Sequence, residues 1–355
     1  YLQVTRSETD FDGEVAPDDI RAADAAALRQ LIELGAYDDS DPAIYVYRLR
    51  DSTTEHTGLV VEVAVEAFES GQVRGHESVQ DPRVEALVRH FGVVPARSEL
   101  VALLHRGGQL VDAAIATVRQ TQPLLQFWGD DGIEQTVWRI DDDALVATLS
   151  AELSSDTHYI ADGHHRVAAS LQEWQAAGRP RDAGVLCVMY PPDQLNLTAF
   201  HRRVAGPVDS PGLLAALRER EFVVKKATLL TADAGCFGLY VAGNWYVVSS
   251  DQGRPAGVAG VDVSLLHERV LEPVFGIDHV GHPRLDVAPP RTPVAELAAR
   301  CDVDAGALFV LRPPTIDQLV EVADRGEVMM PKTTYFQPKP QAGIFLRFGA
   351  DRTRA

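Results

Sequence analysis

The stretch His158-Tyr-Ile-Ala-Asp162-Gly163-His164-His165-Arg166, followed directly by Val167-Ala-Ala-Ser-Leu-Gln-Glu-Trp174, decides the fold. HYIAD reads as a short strand, Asp162-Gly163 as a turn, and the Ala, Leu and Trp spacing after it as a helix. A glycine turn that opens a helix presents unpaired backbone N–H groups, and the helix macrodipole favours negative charge there. On this reading His164 and His165 donate to a bound phosphate and Arg166 adds a fork-shaped cation. Asp162 then binds Mg²⁺ or accepts a substrate proton. Two other readings of the same residues stand beside it. One is an Asp-Gly turn with surface histidines. The other is a zinc site from His158, His164 and His165, with no cysteine nearby and no standard ligand spacing.

Outward from this stretch, helical and strand patterns alternate. DDIRAADAAALRQLIELGAY and DPRVEALVRHFGVV read as helices, and AIYVYRLR, the run Leu59 to Val65, ELVALLHR, TVWRI and AGVLCVMY as strands. A polar loop is read at Ser52 to Thr57. Past Gly206 come a short helix (PGLLAALREREF), a hairpin around Ala242-Gly243-Asn244, and the helix VDVSLLHERVLEPVFGI. A Pro-rich connector (GHPRLDVAPPRTP), the strand ALFVLRPP, the helix TIDQLVEVADRG and a final strand AGIFLRF close the chain. This alternation predicts an α/β or α+β body, divided into residues 1–212 and 213–355, with no internal repeat.

Composition excludes several classes of function. The 355 residues are 46% apolar and 24% charged, as in ordinary soluble globular proteins. Net charge is −18, which repels polyanions and argues against a nucleic-acid partner. No apolar run approaches the ~20 residues of a membrane span. Three cysteines without CxxC spacing point to a reducing, cytoplasmic compartment. The sequence opens strand-like at Tyr1 without an initiator Met, so an N-terminal stretch is expected to precede it. P-loop, GxSxG and GxGxxG signatures are absent, and His76-Glu77 begins no HExxH because position 80 is Gln.

Three further clusters carry chemistry. Arg74-Gly75-His76-Glu77 follows the core strand read at Leu59 to Val65, so Glu77 is a base or metal ligand, or else a solvated cap for the helix opening at Asp81. Met330-Pro331-Lys332-Thr333-Thr334-Tyr335-Phe336-Gln337-Pro338-Lys339 either wraps an anion or links two elements as a plain polar loop. His201-Arg202-Arg203 is a basic strand end.

Together YIADGHHRVAAS, the GHES turn, the HRRV strand, VDVSLLHERVLEPVFGI and MMPKTTYFQPK resemble a widespread prokaryotic family catalogued as a domain of unknown function and marked by DGHHR. The resemblance runs from Tyr1 to about Phe348; the family's usual N-terminal stretch with a PYD-type turn lies before Tyr1. Where that family commonly has MPxKST, this chain has Met330-Pro331-Lys332-Thr333-Thr334. The family in turn resembles the ParB-like and sulfiredoxin-like superfamily, which includes free-serine kinases and holds nucleotide phosphates in a loop at a helix N-terminus. The resemblance therefore implies a ParB/sulfiredoxin-like core, with residues 213–355 adding elements around one cleft.

Sulfiredoxins need a cysteine in the loop, and Cys187 lies in an apolar strand instead. DNA-binding relatives carry a basic face that this chain lacks. Among the activities the resemblance implies, it then points to a phosphotransferase using Mg²⁺ and ATP or ADP, with CTP a further candidate, acting on serine or a related hydroxylated metabolite. Gly163, His164, His165, Arg166, Arg202, Thr333 and Thr334 would bind phosphates, and Lys332 or Arg202 would neutralise developing charge. Glu77 or Asp162 would take the hydroxyl proton or hold Mg²⁺, and His76, Tyr335 and Lys339 would meet the acceptor. Lys332 to Tyr335 are then expected in the same cleft as the DGHHR loop. A nucleotide-binding regulator and a phosphate-ester or nucleotide hydrolase are the alternatives.

Overall fold

The computed structural model describes residues 17–37, 41–94, 96–227, 236–250 and 255–348, so the opening read at Tyr1 lies outside the described residues. The chain is mixed α/β and forms two compact units. Tyr1–Gly75, Val79–Leu195 and Pro338–Ala355 make the first; His76–Ser78 and Asn196–Gln337 make the second.

In the first unit the described elements run α1 (Pro17–Glu33), β1 (Ile44–Arg50), β2 (Glu55–Ala64), α2 (Val65–Glu69), β3 (Val73–Arg74), α3 (Asp81–Val93), β4 (Ala96–Arg97) and β5 (Val101–Leu104). They continue with α4 (Gln109–Val118), β6 (Leu125–Trp128), β7 (Glu134–Ile140), α5 (Asp143–Ser155), β8 (His158–Asp162), α6 (His164–Ala176) and β9 (Gly184–Tyr190). Eight strands form one mixed sheet in the order β3-β8-β5-β9-β2-β1-β7-β6. All four residues of β5 are buried, as are the first four of β8. On one face of the sheet, side chains from α2, α4, α5 and α6 share a core with these strands. Leu59, Leu103, Ile160, Val167, Cys187 and Met189 meet in the core. Burying that much aliphatic surface is the main term holding the unit together.

Local chemistry sets the helix starts. Pro82 in the first turn of α3 costs no hydrogen bond, and the Asp142 side chain accepts from Leu145 N–H at 2.8 Å to cap α5.

The second unit contains β10 (Asn196–Ala199), β11 (His201–Val204), α7 (Ser210–Glu219), β12 (Phe222–Ala227), β13 (Cys236–Val241), β14 (Asn244–Ser250), α8 (Asp262–Leu266), a π-turn at His267–Leu271 and α9 (Glu272–Phe275). After these come β15 (Leu285–Ala288), α10 (Val294–Asp304), β16 (Ala307–Val310), α11 (Ile316–Asp324) and β17 (Thr334–Gln337). Six strands form an antiparallel sheet in the order β12-β14-β13-β16-β11-β15, and β10 pairs separately with β17. The hairpin β13–β14 turns through Ala242 and Gly243, both at positive φ (49° and 72°), as a two-residue primed turn requires. A reciprocal capping box between Thr315 and Gln318 starts α11.

Several sequence expectations change here. The division falls between Leu195 and Asn196 rather than at 212, because β10 and β11 pair only with later strands of the second unit. The last strand shrinks to β18 (Arg347–Phe348), which pairs with β4 and so belongs to the first unit. The segment read as a Pro-rich connector contains β15, bonded to β11. Strand β2 begins at Glu55, inside the expected polar loop. Helices α4, α5 and α10 form in segments the sequence reading passed over.

Candidate functional site

The DGHHR turn lies wholly in the first unit. Strand β8 ends at Asp162, Gly163 turns at φ 109° and ψ 20°, and α6 begins at once. A Cβ at Gly163 would stand 3.2 Å from the Arg166 guanidinium, so a side chain is disfavoured there by both strain and crowding. No side chain caps α6 and no acid lies in its first turn. The ladder starts only with Val167 N–H donating to the Gly163 carbonyl at 3.0 Å, so the first-turn N–H groups face outward from the ladder.

Charge at this turn is tightly balanced. Arg166 Nη2 donates to Asp162 Oδ2 at 2.7 Å, Nη1 donates to the Leu100 carbonyl at 2.6 Å, and Nε lies 3.7 Å from Glu99. The ammonium of Lys339, 177 residues away in sequence, donates to the other Asp162 oxygen. Burial pushes the Asp162 carboxyl upward, but Arg166 and Lys339 outweigh it and hold the group below its ordinary value. The sequence reading gave the Arg166 fork to the ligand; the fold commits it to Asp162 and a carbonyl instead. Arg166 therefore shapes the turn and balances its charge.

The two histidines differ. His164 is buried, and burial pushes its imidazole down to about 4, so it is neutral near pH 7. Its ring packs where a Cβ on Gly75 would stand, 3.2 Å from Cδ2. His165 accepts the Gln80 N–H at Nε2 over 3.1 Å, which ties the start of α3 to the start of α6. Its proton is then on Nδ1. The zinc reading does not hold. His158 Nε2 bonds to the Leu153 carbonyl at 2.7 Å, and no three His, Cys, Asp or Glu among the described residues are grouped to hold a metal.

Seven of the other expected site residues lie in the second unit. Arg202 on β11 is only 1% exposed, with Nη2 donating to the Lys332 carbonyl at 2.9 Å and Nη1 to the Phe200 carbonyl at 3.2 Å. Burial pushes its guanidinium down to about 10, still charged at neutral pH. So placed, Arg202 orders the Lys332 turn rather than facing a phosphate from solvent, which corrects its expected role. Lys332 itself adopts φ 56°. Thr333 Oγ1 donates to the Met330 carbonyl at 2.6 Å, and Thr334 Oγ1 lies 3.4 Å from His76 Nε2. The His76–Ser78 stretch joins this unit through Met329 N–H, which donates to the His76 carbonyl at 2.7 Å, and through a parallel bridge between Glu77 and Met329. Tyr335 is not in a loop: it lies on β17, opposite Thr198 of β10.

The expected ten-residue loop from Met330 to Lys339 is thus divided. Met330 to Gln337 belong to the second unit and Pro338 and Lys339 to the first. Gln80, Glu99 and the Leu100 carbonyl were missed by sequence reasoning, since each acts through position or backbone rather than a recognisable motif.

The chain belongs to the family described as "Protein of unknown function (DUF1015)", whose pattern matches residues 1–272. No curated protein matches it. Among solved structures it is similar to a mutant free serine kinase in complex with ADP: 15% identity, TM-score 0.41, 78% of this chain and 87% of that one covered. It is also similar to a C-terminally truncated SbnI from Staphylococcus aureus, at 12% identity and TM-score 0.42, with 80% and 84% covered. A conserved hypothetical protein from Pyrococcus furiosus matches at 14% identity and TM-score 0.37, with 78% and 90% covered. Among the described residues no helix is long and apolar enough to cross a membrane.

Proposed function

We propose that the turn from Asp162 to Arg166 holds the phosphates of a nucleoside di- or triphosphate, and that the protein passes a phosphoryl group to a small hydroxylated acceptor, with serine or a related amino acid first. The observation that carries this reading is the start of α6: a left-handed glycine, no capping side chain and no acid in the first turn. In the same unit, α1, α2, α3, α4 and α5 each have an acid in the first turn. Such an end stabilises an anion through its N–H groups and dipole. Lys339 adds a partly exposed cation beside it.

In the transfer step the acceptor hydroxyl attacks the terminal phosphorus, the bond to the leaving nucleotide oxygen breaks, and the hydroxyl proton passes to a carboxylate. Asp162, held ionised by two cations, is a weak proton acceptor. Glu77 and Lys332 to Tyr335, which the sequence reading assigned to the same ligand, belong to the second unit and are given no part in this step. Both Asp162 oxygens are already paired, so the turn does not fit a Mg²⁺ ion held by protein ligands, and no step is routed through one.

Calorimetry with ADP, ATP and CTP tests the binding half. Lys339→Gln is expected to weaken the preferred nucleotide about ten- to a hundredfold, the scale of a charge-assisted hydrogen bond. Unchanged affinity would remove the turn from the phosphate site. Mass spectrometry of mixtures of nucleotide with amino acids and hydroxy acids tests the transfer half. Tight nucleotide binding with no phosphorylated product from any acceptor would replace the transferase by a nucleotide-sensing regulator.

A further inference from the structure

Behind the DGHHR turn, still within the first unit, is a cavity of about 210 Å³ between α3 and α6. Pockets that enclose drug-sized ligands span about 300–1,000 Å³, so this one suits a single ring system with the rest of its molecule outside. Its walls include Leu87 and Phe91 from α3 and Val101 and Val185 from the sheet. Arg97 also lines the cavity: its guanidinium sits over Phe91, 4.3 Å from the ring centroid, and is fixed by Glu173 at 2.5 Å, which holds the aromatic wall in place.

Polar groups mark one edge. Ser98 lines the cavity, is 2% exposed, and its Oγ has no hydrogen-bond partner among the described residues. A buried hydroxyl left unpaired is unfavourable, and a bound polar edge would satisfy it. Glu99 also lines the cavity with a half-exposed carboxylate, an acceptor at the rim. Arg166 and Ser170, one helical turn apart on α6, line it as well. The midpoint of those two residues lies about 6 Å down the axis from His164, four residues at ~1.5 Å each, a short step from the helix end.

We propose that this cavity is a nucleobase pocket: it takes a flat heteroaromatic ring bearing an exocyclic amino group, while the attached phosphates reach the start of α6. The inference deepens the phosphate-binding reading and rests on it for the second half of that statement. Ser98 pairs with a ring nitrogen or oxygen, and Glu99 accepts from the amino group. Adenine and cytosine present that amino group, whereas uracil presents a carbonyl oxygen to the same carboxylate.

The test is calorimetry with ADP, CDP, UDP, adenosine and inorganic tripolyphosphate on wild type, Ser170→Phe and Glu99→Gln. Wild type is expected to bind ADP or CDP at least about tenfold more tightly than UDP, the scale of one well-placed hydrogen bond. Ser170→Phe fills the cavity and is expected to weaken ADP about tenfold or more while tripolyphosphate stays within about twofold of wild type. Glu99→Gln, at the rim, is expected to erase the preference over UDP and covers the case in which the Phe variant fails to fold. Equal ADP and UDP affinities in wild type, or wild-type ADP affinity in a folded Ser170→Phe, overturn the pocket. Failure of the phosphate reading looks different: tripolyphosphate does not bind and ADP binds no more tightly than adenosine, whose binding, lost in Ser170→Phe, then reads the cavity alone.

Discussion

The turn at Asp162 in the first unit and the turn at Lys332 in the second both gather basic side chains, but they stabilise them in opposite ways. At the first, Asp162 stands between Arg166 and Lys339, and Glu99 lies near the same guanidinium. At the second, Arg202 is only 1% exposed and, among the described residues, donates to the Phe200 and Lys332 carbonyls. Burial among carbonyl dipoles weakens the Arg202 guanidinium's hold on its proton, and geometry keeps it in place. The first arrangement suits a site that meets charged ligands at the surface; the second suits a structural pin.

The largest expected effect tests the pin. Arg202→Ala removes a buried side chain and leaves two carbonyls without donors, so it should cost about 3–5 kcal/mol in urea unfolding. Arg166→Ala, where Lys339 still balances Asp162, should cost about 1–3 kcal/mol. Equal losses would erase the contrast between the two turns.

Acid titration sharpens the contrast next. His164 and His105, both in the first unit, are pushed by burial from 6.5 to about 4. The unfolded chain therefore takes up these protons first as pH falls. Their contribution is fully present above about 6.5, is lost between about 6.5 and about 4, and amounts to roughly 3 kcal/mol for each imidazole. Arg202 stays charged throughout that window and adds no slope. Urea unfolding at stepped pH should show the loss in wild type and a shallower slope in His164→Gln; an identical slope would place the acid sensitivity elsewhere.

The last test is at the glycine. Gly163→Ala must place a methyl against Arg166 at positive φ, a cost of about 1–3 kcal/mol. It should also weaken nucleotide binding, because the helix start must shift. A variant as stable as wild type would show that the turn relaxes freely.

Legibility followed locality. Strand β8, its glycine and α6 could be read because an apolar run, a breaker and a helical period lie side by side within 17 residues of sequence from His158 to Trp174. The β13–β14 hairpin was readable for the same reason. The π-turn at His267–Leu271 was not, because one extra residue per turn leaves an apolar pattern that still scans as continuous helix. Strand β15 is four residues long and followed by two prolines, so turn chemistry outweighed its β signal. Lys339 was singled out from composition, yet nothing in the sequence ties it to Asp162: a salt bridge across 177 residues is a product of topology. The burial of Arg202 was equally hidden, since charged residues are almost never fully buried without a paired charge.

Asn196 and Gln337, the residues at which the main stretch of the second unit begins and ends, face each other as partners in the β10–β17 ribbon. That makes the stretch an insert in a host: the polypeptide leaves after Leu195 and returns at Pro338 through a doorway one strand-spacing wide. Directly opposed antiparallel residues have Cα atoms ~4.5–5.5 Å apart, a gap two extended residues can bridge. Evolution or an engineer can therefore lengthen, exchange or shorten what lies between the doorposts while the host's own chain path stays closed. The host, for its part, waits on the ribosome: β18 and Lys339 emerge only after the whole insert has been made, so the charge balance at Asp162 is among the last features a nascent chain can complete.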